Sequence, residues 1–314
     1  MAKLEVCVIG EINPDLILYG LPQELEPERE FLIDGFSLTL GSSSAIFAHN
    51  LAVLGTRVGM ISKIGNDPLG KVVLERVAAG GVDVTHVKVS DHTPTGVSVI
   101  LTQARQRVIL TYPGTMFELS YDDLDFDYIL SARHLHISSF FLHRKLRPRI
   151  ADLFQMAKAE GLSTSMDTND DPEDKWDENG DVSRVLDFVD TLFVNEREVR
   201  KLAQTEDLED ATATLAGRTK RVVVKLGAKG AVVREGSREW RHPALAVDVI
   251  DAVGAGDSFD AGYIHSLLRG DSPENCLAFA NAAGALSTTK AGGTEAFRDR
   301  VYVSKFFQEH LRAV

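Results

Sequence analysis

The sequence predicts an α/β protein: a doubly wound, mostly parallel central sheet flanked by helices, with a small β-sheet lid. Three observations predict it. Short apolar runs at 4–10, 134–137, 162–166, 192–194 and 221–226 end in polar or glycine-bearing loops and alternate with stretches of helical periodicity. A glycine-rich turn at 254–256 stands directly before one such helical pattern. Near residue 95 the period drops to two around a polar reversal, which reads as a hairpin appended to the larger domain.

The chain of 314 residues is 44% hydrophobic and 25% charged, enough for an ample core. No internal repeat or low-complexity linker divides it, so a single domain over 1–314 is expected. Lys and Arg number 34 against 46 Asp and Glu, a net charge of −12. That balance disfavours nucleic acid or an anionic membrane as a main partner, and no apolar run approaches membrane-spanning length. Cys7 and Cys276 lie far apart in apolar segments and read as buried thiols of a reducing compartment. The chain enters a strand rather than a signal sequence, so a cytoplasmic location is expected.

The opening strand runs into Gly10-Glu11-Ile12-Asn13-Pro14-Asp15, with polar groups gathered just past a strand's C-terminal end. Ligands bind there in open α/β sheets, although Asn13 or Asp15 bonding its own turn is the plainer alternative. Residues 21–34 are acidic and lack periodicity. The small-residue turn Gly41-Ser42-Ser43-Ser44 precedes a helix from about 45 to 54, stopped by Gly55, and permits close ligand approach. Gly65 to Lys71 copies the spacing of a P-loop, but Val72 stands where Ser or Thr would meet magnesium. It reads as a loop–helix junction. From Val82 to Val89, and again from Thr95 to Tyr112 around a turn at 103–106, apolar residues alternate as in a hairpin.

His134 and His136 share one strand face but have no third zinc ligand nearby, so they read as core histidines. Arg144, Lys145, Arg147 and Arg149 form either a solvated loop leading into a helix at 150–160 or a pocket for an acidic or phosphorylated ligand. Asn195 and Glu198 share a face as the next helix starts. They suit magnesium held through water, or a capping box, or both. Residues 221–233 read as two strands around a glycine turn, and Ser272-Pro273 opens a further helix. An apolar strand pattern at 246–250 leads into Asp251-Ala252-Val253-Gly254-Ala255-Gly256-Asp257, and a helical pattern leaves it. Such a turn aims free N–H groups and a positive helix end at an anion. Asp257 beside it serves either as a helix cap or as a base for a phosphoryl acceptor.

The run from Asp251 to Asp257 resembles, residue for residue, the C-terminal signature of the ribokinase-like (PfkB) family of carbohydrate kinases. The resemblance extends over about residues 4–310. It implies an ATP-dependent sugar kinase that moves the γ-phosphoryl group to a primary hydroxyl of a small neutral sugar. It further implies an anion hole at Gly254, Ala255 and Gly256, with Asp257 as general base. Sugar contacts would come from Asn13, Asp15, Gly41, Ser42, Ser43 and Asp257. The nucleotide would lie against Lys225, Gly227, Gly230, Gly254, Gly256 and Asn281, with Mg2+ held through water by Asn195 and Glu198. A K+ site would involve Asp251 and the carbonyls of Val253, Ser287, Lys290 and Gly292. The lid would form from about 11–35 and 93–115, exclude water, and serve as a homodimer contact. Three departures stand out: Ser42 replaces a family Gly, Ile46 an Asn, and Asp171 an Arg that in some members meets a substrate carboxylate. The last argues against a sugar acid. A nucleoside, sugar-phosphate or 2-keto-3-deoxy sugar acid kinase is the alternative within the family, and a non-catalytic sugar- or nucleotide-binding regulator the alternative outside catalysis.

Overall fold

A computed structural model describes residues 4–22, 24–103 and 106–311. Two sheets organise it. Strand β1 (Val6–Ile9) opens the large one; β2 (Pro14–Tyr19) and β3 (Gly35–Leu40) then leave it for the small one. After α1 (Ser43–Val53), the chain returns through β4 (Val58–Gly65), α2 (Pro68–Ala79) and β5 (Asp83–Ser90). The small sheet is completed by β6 (Val97–Gln103) and β7 (Gln106–Tyr112), in the order β3-β2-β6-β7. Ala104 and Arg105, at the tip of the expected reversal, lie outside the described residues.

The second half lays down α3 (Phe126–Leu130), β8 (His134–Ile137), α4 (Ile150–Ala159), β9 (Ser163–Asp167), α5 (Asp181–Leu186), β10 (Thr191–Asn195), α6 (Glu196–Ala203), α7 (Leu208–Ala216) and β11 (Arg221–Lys225). An antiparallel pair, β12 (Ala231–Glu235) and β13 (Arg238–His242), closes one edge before α8 (Ala255–Leu267), α9 (Pro273–Thr288) and α10 (Arg300–His310). The order across the large sheet is β13-β12-β11-β10-β9-β8-β1-β4-β5, parallel from β11 to β5. The chain therefore winds outward from β1 in one direction and then from β8 in the other. The crevice where those directions part lies between the C-terminal ends of β1 and β8, which is where ligands enter such sheets.

Strand alternation sorts the core into layers. Val6 and Val8 point with α1, α2, α8 and α9 into one cluster, while Cys7 and Ile9 point with α4, α5 and α7 into the other. Burying both sheet faces in this way removes apolar surface from water on each side of every central strand. Both cysteines are buried and free. No helix among the described residues is long and apolar enough to cross a membrane.

Three expectations need correction. The alternation at 82–89 belongs to β5, the edge of the large sheet, and not to the hairpin. The small sheet also takes in residues 35–40, beyond the expected 11–35. Residues 246–250 form no strand; they follow β13 as a loop without a ladder partner. Their period-two pattern has another origin: Leu245 and Val247 pack against α9 and α10, while Val249 and Ile250 face water.

Candidate active site

Helix α8 begins beside the crevice. Its N-cap is Gly254, at φ +72, and a Cβ there would lie 2.6 Å from the Gly293 Cα, so both conformation and space demand glycine. The Ala255 N–H turns back to the Ala252 carbonyl at 3.3 Å, and the Ser258 N–H starts the helical ladder on Gly254. Among the described residues, the Gly254, Gly256 and Asp257 N–H groups bond no protein acceptor, which makes them the open donors of the turn, whereas the Ala255 N–H, expected among them, is spent on Ala252. Asp257 sits in the first turn yet no side chain caps this helix, so the capping alternative fails. Its carboxylate is buried and meets the Ser43 hydroxyl at the start of α1. Burial pushes its pKa up to about 7 against the opposing pull of Lys225, with Asp167 adding to the rise.

Lys225, at the end of β11, is the cation of this neighbourhood. Its Nζ lies 2.6 Å from Asp167 Oδ2 and 3.0 Å from Asp260 Oδ2, and 3.4 Å from where a Cβ on Gly256 would stand. Burial would lower the lysine, but Asp167 and Asp260 hold its pKa up. Burial likewise raises Asp260 well above the carboxylate range, while Asp167, despite burial, is held low by Lys225. Neither carboxylate announces itself in the sequence, because residues 167, 225 and 260 meet only once β9, β11 and α8 are packed.

Asn195 and Glu198 form the capping box of α6: Glu198 accepts from the Asn195 backbone at 2.8 Å and from its amide at 2.6 Å. Burial raises Glu198 to about 7, with Asp167 raising it further and Lys225 opposing. Both Glu198 oxygens are thus engaged, and no cluster of three metal-ligating side chains occurs among the described residues. A magnesium ion fits here only through its water shell.

Beside the turn opens a cavity of about 470 Å³ lined by Gly227, Gly230, Val247, Ala255, Gly256 and Asn281, among others. Its walls are largely backbone and apolar side chains, which suits a flat heterocycle. Asn281 reaches across its rim to the His242 and Pro243 carbonyls, at 3.2 and 3.1 Å. Asp251 ties the two loops behind the turn, accepting from the Val253 and Gly292 N–H groups at 3.0 Å each. Ser287 bonds the Gly293 carbonyl at 3.4 Å, and the Lys290 ammonium lies over the Tyr302 ring.

On the opposite wall stand the expected sugar contacts. Asn13 and Asp15 are buried at the start of β2, and Asp15 lies so close to Gly41 that any side chain there would collide with it. Ser42 takes φ +71 while its hydroxyl bonds the Glu11 carbonyl and caps α1, so a serine tolerates a position that suits glycine. Glu11, which sequence reading left unassigned, anchors this wall. It accepts from Ser44 at 2.7 Å and Ser139 at 2.8 Å, with His143 at 3.5 Å. Ile46 is buried against Gly254 and Gly293. The basic loop is neutralised residue by residue: Arg144 by Glu173, Lys145 by Glu118, Arg147 by Asp181 and Arg149 by Asp152. Asp171 caps its own loop through the Glu173, Lys175 and Trp176 N–H groups. His134 and His136 bond Ser163, Ser165 and Ser138 within the core, and burial keeps both neutral.

Comparison with known proteins agrees with this architecture. The family model described as pfkB family carbohydrate kinase matches residues 3–300. An ATP-dependent ribose-1-phosphate kinase from Halopiger xanaduensis is 29% identical over 93% of this chain and 95% of its own length. A 2-dehydro-3-deoxygluconokinase from Thermoproteus tenax is 30% identical, covering 83% of each chain. Among solved structures, Arabidopsis thaliana ribokinase complexed with ribose and ATP superposes with a TM-score of 0.82 at 26% identity, covering 98% of this chain and 99% of its own. An E. coli protein provisionally assigned as Ribokinase II, in complex with ATP and Mg2+, gives 0.86 at 26% identity, covering 98% and 100%.

Proposed function

This chain belongs to the pfkB family of carbohydrate kinases, phosphotransferases with an alcohol acceptor, and from that premise we propose that it phosphorylates a primary hydroxyl of a small neutral sugar with ATP. The observation that carries the reading is Asp257: buried, uncommitted to helix capping, and placed in a turn with three open N–H donors. The acceptor O–H gives its proton to the Asp257 carboxylate as the oxygen bonds to the γ-phosphorus. The bond from that phosphorus to the bridging oxygen breaks, and its electron pair leaves with ADP. The Gly256 and Asp257 N–H groups stabilise charge on the transferring phosphoryl, and an elevated pKa suits a base working near neutrality. Magnesium supplies neutralisation of the nucleotide phosphates; Asn195 and Glu198 would orient its waters. The adenine would rest in the cavity by Asn281, with Gly227 and Gly230 along its wall. Two solved structures with ATP among the relatives support the nucleotide half of this reading.

On the acceptor wall, Asn13, Asp15 and the 41–43 turn would bind hydroxyls. A neutral sugar fits the charge pattern, because each cation of the basic loop is paired and the crevice gathers Glu11, Asp15, Asp167 and Asp257. The names of two relatives favour a second reading, a sugar phosphate or a keto-deoxy sugar acid as acceptor. A K+ ion at the junction tied by Asp251 belongs to the same proposal. So does a homodimer through the lid, whose outward face carries Leu16, Leu18, Phe36, Leu38, Val99 and Leu110. ATP consumption measured across fructose, ribose, nucleosides, hexose phosphates and keto-sugar acids tests the reading. Turnover with ribose or fructose and none with the anionic acceptors is expected. The reverse order would replace the neutral sugar, and silence across the panel would replace the kinase by a binding protein.

A further inference from the structure

A cavity of about 400 Å³ opens between α1, α2 and the segment 294–300, on a part of the protein that the proposed reaction does not use. Its lining includes three guanidinium groups, Arg76, Arg298 and Arg300, against two carboxylates, Glu75 and Glu295. Glu295 is shared by Arg76 at 3.5 Å and Arg298 at 2.9 Å. Arg300 bonds only the Gly80 carbonyl and meets no carboxylate among the described residues. In a chain of net charge −12, such a cationic recess runs against the general balance.

His49 also lines this recess, although its residue surface is only 3% exposed. Among the described residues its imidazole makes one hydrogen bond, between Nδ1 and Asn50 Oδ1 at 2.8 Å. The Asn50 amide nitrogen donates twice, to Ser258 Oγ at 2.9 Å and to the Gly293 carbonyl at 3.0 Å. The Asn50 oxygen must therefore accept from His49, which fixes the proton on Nδ1 and leaves Nε2 as a free acceptor. Ser258 in turn donates to the Gly254 carbonyl at 2.7 Å, and Gly293 packs on Gly254. A short buried chain thus runs from the recess to the N-cap of α8.

We propose that this recess is a second binding site, for a small hydroxylated anion, and that its occupant supports the phosphate turn through His49 and Asn50. Anionic oxygens meet the guanidinium groups, and a hydroxyl meets His49 Nε2. The volume falls within the range of small-molecule sites. A donor on Nε2 holds the Nδ1–H tautomer. Without that donor the Nδ1–H is held by Asn50 Oδ1 alone, so the occupant adds a second hold on the pair that grips Gly293 and Ser258. Burial keeps the imidazole neutral, with Glu295 opposing and Arg298 and Arg300 reinforcing that tendency. The occupant accordingly tightens ATP binding.

Titration calorimetry with glycerol 3-phosphate, in the presence of saturating Mg2+ and a non-hydrolysable ATP analogue, tests the site itself. Saturable binding is expected for the native chain, at least tenfold weaker in R298Q/R300Q and at least tenfold weaker for sulfate, which offers no donor to Nε2. ATP affinity should rise about fivefold with glycerol 3-phosphate in the native chain and stay constant in the double variant. No saturable heat up to about 10 mM overturns the site, as does equal affinity in R298Q/R300Q, which would place the ligand elsewhere. Equal affinity for sulfate removes His49 from recognition, and an unchanged ATP affinity removes the link to the turn. The calorimetry needs no turnover, so failure of the kinase reading would leave this binding intact and be seen separately.

Discussion

The two walls of the crevice are built on different plans. The wall proposed for the nucleotide is mostly backbone and apolar surface: Gly254 at φ +72, open N–H groups at 254, 256 and 257, and a cavity floored by glycine, alanine and valine. The wall proposed for the acceptor is mostly side chain: Asn13, Asp15, Glu11 and the serines of the 42–44 turn, partly carried by a separate small sheet. A backbone site is fixed by the conformation of the chain and tolerates almost no added atoms. A side-chain site keeps its fold when a functional group is exchanged and changes only what it recognises. The first wall should therefore fail abruptly on substitution and the second by degrees.

The largest expected effect lies where the walls meet. Asp257→Asn should lower kcat by about 10²–10⁴-fold, the usual worth of a general base, while ATP affinity by calorimetry stays within about twofold. Retained turnover would remove Asp257 from the base role. Activity should also fall as pH drops through about 7, because only the ionised carboxylate accepts a proton. Stability runs the other way. The folded pKa of about 7 lies above the ordinary 3.8, so this group's stabilising contribution is complete below 3.8 and lost as pH rises through about 7. Thermal melting at about pH 8 should accordingly find Asp257→Asn more stable than the native chain.

Next in size is Gly254→Ala. A methyl group pressing on Gly293 at a left-handed φ should displace the turn and lower kcat/KM for ATP by about 10²–10³-fold, the scale of losing one oxyanion donor. Initial rates against ATP concentration measure it. On the other wall Asp15→Asn keeps shape and removes one charge-assisted bond. The expected change is a rise of about tenfold in sugar KM with ATP KM constant. If Asp15→Asn proved as damaging as Gly254→Ala, the contrast between the walls would be wrong.

The same contrast explains what the sequence could and could not disclose. Gly254, Gly256 and the capping pair Asn195 and Glu198 were legible because a backbone turn and a helix start constrain consecutive residues. The apolar runs of β8, β9, β10 and β11 were legible because both sheet faces are buried. Residues 246–250 misled, since a loop with alternate residues packed against the α9–α10 cluster shows the same alternation as a paired strand. Glu11 and the two carboxylates that meet Lys225, Asp167 and Asp260, stayed silent because their partners arrive from distant elements, and spacing along the chain carries no trace of that meeting. Which lid residues face inward also depends on register, which places Asp15 opposite Ser98 and Thr39 only after the strands pair.

The smallest effect on catalysis, and the sharpest on assembly, should come from the lid's outer face. Registered pairs put Leu16 beside Leu38 and Val99, Leu18 beside Phe36 and Leu101, and Leu110 beside Val99. Phe36 is 69% exposed and Leu110 56%, so this grid of apolar side chains meets water in a single chain. A second copy laid face to face would remove that surface from water while leaving Asp15, on the inward side of β2, untouched. Leu110→Glu would set a carboxylate in the middle of such a contact, where burying it unpaired is unfavourable. Sedimentation velocity should then find the native chain dimeric and Leu110→Glu monomeric, with kcat changed by no more than about twofold. A native chain that sediments as a monomer breaks the pairing, and a variant that stays dimeric moves the contact off the lid.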